Sequence, residues 1–456
     1  MSSTVPSQRC RCRSSGRQAL LALTLITALL GCETESPSPA GEPTRETLLN
    51  GAVLVRYPDL PATDSVGPEV AEAHVDLQFG SVDGADPNLT FGAIEVQAAS
   101  DGTIYVLEKQ AAEVRVFDSG GQYLRTIIRQ GEGPGEVVGA NGIRLSGDTL
   151  LWINDTGHWA IKGLDPDGQV VRRFSKPVMS VTETWAGVFD DRGRYWREIS
   201  HSESEPDFPP PVGLTTWTGR HYYKSYDIST GATDSVYLGE PVFRIYAYST
   251  PDVPFGFLPL HFQPFEMIRV NPAGGFWRAH NTSYRIARTS EDGDTLTVIE
   301  VGLPEQPVTD ADRTAYVDSI VADRPELRRP AEEVAGLMPD ARPVLADLFV
   351  DDEHRLWVQR VTPEGAPAFY DLFSPEGDYR GSVRLAFAAA GPLVVRNGHI
   401  YTWFEDELDV PFVVRAAVGL GRRGSQLRFS GGSACELRPP ESAGGTPRRS
   451  RIRRSA

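Results

Sequence analysis

The chain has 456 residues, a net charge of −16 and four cysteines, all of which lie near its two ends. Such acidity repels nucleic acid and anionic lipid headgroups, so we expect neither as a direct partner. The body between the cysteines must fold without disulfide bonds, and a chain of this length can bury a large enough core to do so.

Residues 1–31 have the pattern of a signal peptide. Four arginines precede an apolar run at 19–30, which is too short to span a bilayer as a helix. The run ends in Leu-Leu-Gly-Cys, which resembles a bacterial lipobox; an ordinary secretory signal with a chance cysteine is the alternative. The resemblance implies lipid modification of Cys32 and, because Glu33 follows it, sorting to the outer membrane. We expect a lipid-anchored protein of the bacterial cell envelope that faces the periplasm.

Residues 32–65 are predicted to be a disordered tether. The stretch that follows Cys32 is rich in Pro, Ser, Thr, Glu and Gly, and it has almost no apolar residue as far as Thr47. A segment of this composition cannot bury enough surface to order itself. It would hold the folded body away from the membrane.

Six times along the chain, a turn rich in Asp, Gly or Asn is followed by an apolar or aromatic residue and then a tyrosine or tryptophan. The pairs are Ile104-Tyr105, Leu151-Trp152, Tyr195-Trp196, Phe276-Trp277, Leu356-Trp357 and Ile400-Tyr401. They recur every 44 to 47 residues, or about every 80 where a segment has been inserted. This period predicts one four-stranded sheet per repeat, and six such sheets around an axis form an all-β fold, the six-bladed β-propeller.

The first repeat shows the four strands of a blade, named A to D from the axis outward. They are predicted at 93–96, 104–107, 114–117 and 123–128. The segments Asp101-Gly-Thr-Ile-Tyr-Val, Val116-Phe-Asp-Ser-Gly120 and Gly131-Glu-Gly-Pro-Gly-Glu136 resemble the six-bladed propeller family related to NHL repeats. The closing segment Asp406-Glu-Leu-Asp-Val-Pro-Phe-Val-Val-Arg415 resembles the end of that family's envelope lipoprotein members. The resemblance covers roughly residues 66–415 and implies the fold. It implies no function, because that family includes scaffolds, binders and enzymes.

The last blade is predicted to be completed from the N-terminal side. It has candidate strands at 393–396, 400–404 and 410–415 but no clear fourth strand. The segment 74–79 alternates as a strand should, and it precedes blade 1. We expect it to be the outer strand of blade 6, which leaves the ring without an open edge. The propeller is therefore predicted at 66–418, and residues 419–456 are predicted to be a disordered basic tail.

Three long segments are expected on one side of the ring. In this topology the B–C loops and D–A crossings open on one side, here called the loop face, and the A–B and C–D turns open on the other, the turn face. The segments at 200–219, 241–263 and 304–342 all fall on the loop face. The last contains a small helical insertion, with one helix predicted at 309–322, capped by Asp310 or Asp312, and a second near 331–338.

Polar residues on the loop face are candidates for a binding site, since long loops on a rigid scaffold are a usual place for binding. The candidates are Glu108, Asp155, His158, Glu198, His280, Asn281, Arg360 and Glu405.

Two classes of function remain open. The first is a monomeric platform without a cofactor, which binds a protein, peptide or carbohydrate and contacts the membrane through its lipid anchor only. The second is a hydrolase or lyase similar to propeller lactonases, in which Ca²⁺ or another divalent cation is a Lewis acid and His158 or His280 is the acid or base. Because the sequence contains no fixed-spacing ligand motif and no known catalytic motif, we expect a binding protein and not an enzyme.

Overall fold

The computed structural model describes residues 41–82, 84, 86–133, 135–175, 187–202, 209–251, 253–363 and 365–419. Cys32 and the predicted signal peptide lie outside these ranges, as does the predicted tail from residue 420 onward. Among the described residues, no helix is long and apolar enough to cross a membrane.

The chain forms six blades in sequence order, which confirms the predicted six-bladed β-propeller. Three strands precede the first blade: β1 (Thr44–Thr47), β2 (Val53–Tyr57) and β3 (Val70–Phe79). Blade 1 consists of β4 (Ile94–Ala98), β5 (Ile104–Glu108), β6 (Glu113–Phe117) and β7 (Tyr123–Ile128). Blade 2 consists of β8 (Ala140–Ser146), β9 (Leu150–Asp155), β10 (Ala160–Leu164) and β11 (Val170–Ser175).

Blade 3 consists of β12 (Val188–Phe189), β13 (Arg194–Ser202), β14 (Gly213–Asp227) and β15 (Thr233–Gly239). Two further strands follow it, β16 (Val242–Tyr248) and β17 (Gly256–Leu258). Blade 4 consists of β18 (Glu266–Val270), β19 (Phe276–His280), β20 (Arg285–Thr289) and β21 (Thr295–Val301).

Two helices, α1 (Asp310–Val321) and α2 (Arg328–Gly336), separate blade 4 from blade 5. Blade 5 consists of β22 (Leu345–Val350), β23 (Leu356–Arg360), β24 (Phe369–Phe373) and β25 (Tyr379–Leu385). Blade 6 contributes β26 (Val394–Arg396), β27 (His399–Glu405) and β28 (Pro411–Ala417). The aromatic residues of the repeated pairs are buried in the blades, and Trp152, Trp277 and Trp357 are among the largest fully buried side chains.

Strand β3 closes the ring, as predicted for residues 74–79. Its second half pairs antiparallel with β28, with Phe79 opposite Val413 and His74 opposite Ala417. The strand also begins earlier than predicted, and residues 70–73 pair in parallel with β25 of blade 5. A single strand therefore joins blades 5 and 6, and Ala73, at the point of transfer, is completely buried.

The predicted disordered tether is wrong for residues 44–57. Strand β2 pairs in parallel with β21 and places Val55 and Tyr57 in the core between blades 4 and 5, while β1 covers β2 on the outside. The Tyr57 hydroxyl donates to the Gly377 carbonyl at 3.0 Å and accepts from the Tyr379 amide at 2.7 Å. The average composition of the segment concealed a five-residue run, Val-Leu-Val-Arg-Tyr, that is apolar enough to extend a sheet.

The insertions form a separate module on the loop face. The first half of β14 continues beyond blade 3 and pairs with β16, and β16 pairs with β17. Helices α1 and α2 pack on this hairpin around their own core. The core residues are Tyr246, Tyr248, Leu258, Tyr316, Val317, Leu327, Ala331, Val334, Ala335 and Met338.

The helical part of this module was predicted with small errors. Thr309, rather than Asp310 or Asp312, caps α1, and Asp312 completes a capping box by accepting from the Thr309 amide at 2.8 Å. Helix α2 begins at Arg328, three residues before the predicted start, because the turn that begins at Pro325 leads directly into it.

Candidate functional site

Three of the predicted loop-face residues accept hydrogen bonds from backbone amides of their own blade. They lie at or just after the end of a strand B, and each accepts from amides of the segment that leads into strand A. Glu108 accepts from the Gly92 amide at 3.2 Å, and Asn281 accepts from the Phe265 amide at 3.0 Å. Asp155 accepts from the amides of residues 138 and 139, each at 3.3 Å. These polar atoms are therefore already used by the fold, which accounts for their burial.

Asp155 is also the centre of a buried ionic cluster, and its side chain is completely inaccessible to solvent. Its Oδ2 atom lies 2.8 Å from Lys162 Nζ and 2.7 Å from His158 Nδ1. Burial alone would raise the pKa of Asp155, but the hydrogen bonds from Lys162 and His158 outweigh it, and the pKa lies below its ordinary value. Lys162 also donates to the Glu136 carbonyl, so the cluster ties β10 to the crossing from blade 1.

Arg360 belongs to a second buried network, between blades 4 and 5. Its Nε atom donates to Asp371 at 2.6 Å, and its Nη1 atom donates to the Pro61 carbonyl at 2.8 Å. Asp371 accepts further hydrogen bonds from Tyr284 at 2.7 Å and from Ser382 at 2.6 Å. Burial raises the pKa of Tyr284 far above its ordinary value, so its hydroxyl remains a donor. The network holds the chain between β2 and β3 against the propeller.

The remaining candidates lie apart from these clusters. Glu198 contacts His221, whose Nε2 atom lies 2.8 Å from Glu198 Oε1, and this contact lowers the pKa of Glu198. His280 contacts Thr282 at 2.7 Å in an exposed turn, and Glu405 is exposed at the end of β27. Of the predicted site residues, the structure brings Asp155 and His158 of blade 2 into direct contact, and it distributes the others over the remaining five blades.

A divalent cation does not fit these residues. Within the described ranges, no group of three or more His, Cys, Asp or Glu side chains is close enough to hold a metal ion. The side-chain oxygens of Glu108, Asp155 and Asn281 are instead bonded to backbone amides or to Lys162, and Glu198 contacts His221.

On the turn face, a hydrogen-bond arrangement that was not predicted from the sequence recurs in blades 3 and 5. Asp190 accepts at 2.8 Å from both Trp196 Nε1 and Arg194 Nε. Blade 5 repeats the arrangement: Asp351 accepts at 2.7 Å from both Trp357 Nε1 and Arg355 Nε. The recurring pattern Asp-Asp-x-x-Arg-x-Trp, at 190–196 and 351–357, was the available signal. Each first aspartate locks an A–B turn to the tryptophan of its own blade.

The A–B turns also bond to one another around the axis. Ser100 of blade 1 donates its amide to Asp148 of blade 2 at 2.9 Å, and Asn397 of blade 6 donates its side-chain amide to the Ser100 carbonyl at 2.6 Å. The Asn397 backbone amide donates to Asp352 of blade 5 at 3.1 Å. The hydrogen bond from the Ser100 side chain lowers the pKa of Asp148. These contacts form a connected rim on the turn face.

An axial cavity of about 680 Å³ lies inside this rim. It is lined by the inner strands or A–B turns of all six blades, including Glu95, Arg144, Phe189, Pro272, Phe349 and Arg396. The prediction placed the binding site on the loop face, and no polar residue of that prediction lines this cavity.

Comparison with known proteins agrees with the fold. Residues 72–156 match a family of unknown function that is described as a 6-bladed beta-propeller. No curated protein matches the chain.

Several solved structures are similar at low sequence identity. A Bacteroides fragilis protein described as exported is 10% identical, with a TM-score of 0.42, and the match covers 80% of this chain and 99% of that one. A Bacteroides vulgatus protein from a family of unknown function is 10% identical, with a TM-score of 0.44 and coverages of 77% and 100%. A streptogramin B lyase is 11% identical, with a TM-score of 0.37 and coverages of 76% and 98%. None of these similarities identifies a ligand or a reaction for this chain.

We predict that Asp155→Ala destabilises the protein by about 3–5 kcal/mol, because it leaves the Lys162 ammonium buried without its partner. Urea unfolding of the two proteins measures the difference. Glu405→Ala, which removes an exposed carboxylate from the same face, is the control and should change the free energy of unfolding by less than about 0.5 kcal/mol.

The pH dependence of stability in wild type and Asp155→Ala tests whether the cluster of Asp155, His158 and Lys162 is ionic. Because the pKa of Asp155 is lowered on folding, its stabilising effect is present above the unfolded pKa of about 4 and is lost as the pH falls through the folded value. The stability difference between wild type and Asp155→Ala should therefore shrink in acid. A difference that stays constant from pH 7 to pH 3 would contradict the ionic account.

Proposed function

We propose that this protein is a lipid-anchored β-propeller of the bacterial cell envelope that binds another protein through its loop face. The observation that carries the proposal is the module built from β14, β16, β17, α1 and α2. It has its own hydrophobic core, which is distinct from the cores of the blades. A chain needs no such module to close a propeller, so its size and position favour a binding role.

Exposed apolar side chains on and beside the module support protein binding. They are Val212, Leu214, Val242, Phe257 and Phe265. Leu214, Val242 and Phe257 belong to the three adjacent strands of the extension, and Phe257 also contacts Phe255 edge to face with ring centroids 4.7 Å apart. The register places Leu214 and Val242 on the face of the extension that carries Tyr246, and it places Phe257 on the other face. Exposed apolar side chains on both faces of a protruding element favour a protein partner.

The loop-face polar residues favour binding over catalysis. Glu108, Asp155 and Asn281 each accept hydrogen bonds within the fold, and Arg360 donates through Nε and Nη1, while its buried Nη2 atom has no partner among the described residues. A general acid or base must reach the substrate with an available proton or lone pair. His158 would be the best acid or base, because Asp155 and Lys162 hold its Nδ1 atom at 2.7 and 3.2 Å and Nε2 is the ring nitrogen that could face a substrate. However, no group of three or more His, Cys, Asp or Glu side chains within the described ranges could hold the cation that this mechanism requires. The divalent-metal hydrolase or lyase therefore remains the less supported alternative.

The proposed anchor also constrains the orientation of the propeller. Eleven residues lie between Cys32 and Thr44, where β1 begins on the outer edge of blade 4. A segment of that length spans at most about 40 Å when fully extended. A lipid on Cys32 would therefore hold the outer edge of blade 4 close to the membrane surface.

For the anchor, we predict that Cys32→Ala abolishes incorporation of a labelled fatty acid and releases the protein from the membrane fraction. The reason is that the thiol of Cys32 is the atom that the lipid would modify. Metabolic labelling and membrane fractionation are the measurements, and Cys435→Ala is the matched control. Equal labelling and equal membrane retention of the Cys32 variant would refute the lipoprotein assignment.

For the binding face, we predict that a photo-crosslinking amino acid at Phe257 gives a discrete protein adduct in cells of the native host. The same amino acid at Leu124, an exposed apolar position on the outer strand of blade 1, should give none. Mass spectrometry of the adduct identifies the partner, and purified partner should bind wild type at least tenfold more tightly than Phe257→Asp. If the Leu124 position crosslinks equally, or if neither position does, the loop-face proposal fails.

A further inference from the structure

The axial cavity on the turn face has the volume of a ligand site, and hydrogen bonds between blades fix its walls. Its volume of about 680 Å³ falls in the range of about 300–1,000 Å³ that is usual for small-molecule sites. Glu95 lies near the loop-face end of β4 and forms the deep part of the cavity, and the A–B turns form its mouth. The rim contacts of Ser100, Asp148, Asp352 and Asn397 connect four blades, so the walls are held in place before any ligand enters.

Three buried polar atoms in the lining have no hydrogen-bond partner among the residues that the structure describes. They are Glu95 Oε2, Asp352 Oδ1 and His354 Nδ1. The Glu95 side chain is only 4% exposed, and its nearest cation at Oε2, Lys109 Nζ, is 3.6 Å away and so beyond hydrogen-bonding distance. Each of these atoms has less than 1 Å² of solvent-accessible surface, so a bound molecule could reach it only after the side chain turns toward the cavity. Because buried polar groups normally have partners, three of them around one cavity favour such a turn when a hydrogen-bonding molecule enters.

The charges along the wall are paired. Glu95 forms an ion pair with Arg144 through its Oε1 atom, and Arg396 lies 4.0 Å from Asp352. His354 lies 3.5 Å from Asp191 across the mouth. Because each carboxylate already faces a cationic or titratable group, the cavity does not require a charged ligand. The carboxylates of the wall are hydrogen-bond acceptors and its arginines are donors, and this combination suits a neutral molecule with several hydroxyl groups.

Aromatic and aliphatic side chains provide the other part of the lining. Phe349 lines the cavity and stacks on Trp357 with ring centroids 5.3 Å apart and an angle of 22° between the planes. Phe189 stands in a corresponding position and stacks on Trp152 at 4.9 Å. A sugar ring has an apolar face of C–H groups and an edge of hydroxyl groups, so it matches a wall that contains both aromatic rings and paired carboxylates and arginines.

We propose that the axial cavity binds a neutral saccharide of one or two rings. The ring faces lie against Phe349 and Phe189, and the hydroxyls donate to Glu95 Oε2 and Asp352 Oδ1 after these two side chains turn toward the cavity. His354 contacts the part of the sugar nearest the mouth. This site is on the opposite face from the protein-binding module, and it stands or falls independently of the proposed partner.

The test is isothermal titration calorimetry of the full-length protein with a fixed panel of probes. The neutral probes are glucose, galactose, N-acetylglucosamine, maltose and cellobiose; the charged probes are glucosamine and glucuronate; glycerol is the control for weak polyol binding. We expect at least one neutral sugar to bind with a Kd of about 1 mM or lower, and at least tenfold more tightly than either charged probe.

The variants locate the binding. Glu95→Gln and Phe349→Leu should each weaken the best sugar at least tenfold. Asp101→Asn, in the A–B turn of blade 1 but outside the lining, should leave its affinity unchanged. Circular dichroism and thermal unfolding confirm that each variant is folded, and Asp352→Asn, which retains an acceptor for the Asn397 amide, replaces Glu95→Gln if that variant fails to fold.

Three results would overturn the proposal. The first is the absence of binding by every neutral sugar at 20 mM, about twenty times the expected Kd, which would mean that the cavity holds only water. The second is that glucosamine or glucuronate binds more tightly than the tightest-binding neutral sugar. The third is sugar binding that Glu95→Gln and Phe349→Leu leave unchanged.

Discussion

Strand β3 pairs with β25 of blade 5 and with β28 of blade 6, and these two pairings close the propeller ring. This strand leaves blade 5 at Ala73 and enters blade 6 at His74, so that a segment from the N-terminal side closes the ring formed by the C-terminal blade. Without it, β25 and β28 would present unpaired edges, which are prone to aggregation. The axial cavity, the rim of A–B turns and the position of the loop-face module all require the closed ring.

The N-terminal chain extends this closure to blade 4. Strand β2 pairs with β21, and Tyr57 links blade 4 to the turn at Gly377 in blade 5. Arg360 then holds Pro61, in the connection between β2 and β3. Three adjacent blades are therefore tied together by residues that precede the first repeat. This arrangement also means that tension on a membrane anchor would act first on β1 and β2.

The fold could be predicted because its determinants are local and repeated. The apolar-aromatic pairs stand in strand B of each blade, where burial selects large side chains at a fixed spacing, and Trp152, Trp277 and Trp357 show the result. The parallel pairing of β2 could not be predicted in the same way, since no repeat contains it. Likewise, the roles of Glu108, Asp155 and Arg360 depend on which backbone groups lie beside them, and those neighbours come from distant parts of the chain. His221 was not predicted as a neighbour of Glu198, because only the register of β13 and β14 brings the two residues together.

The most direct test of this account is hydrogen exchange, measured by mass spectrometry, of peptides that cover β3. Because β3 pairs with β25 and β28, the account predicts that its amides exchange as slowly as those of β5 within blade 1, whereas the exposed edge strand β1 exchanges quickly. Rapid exchange of residues 70–79, with β5, β25 and β28 still protected, would show that the ring closes without β3 and would contradict the account.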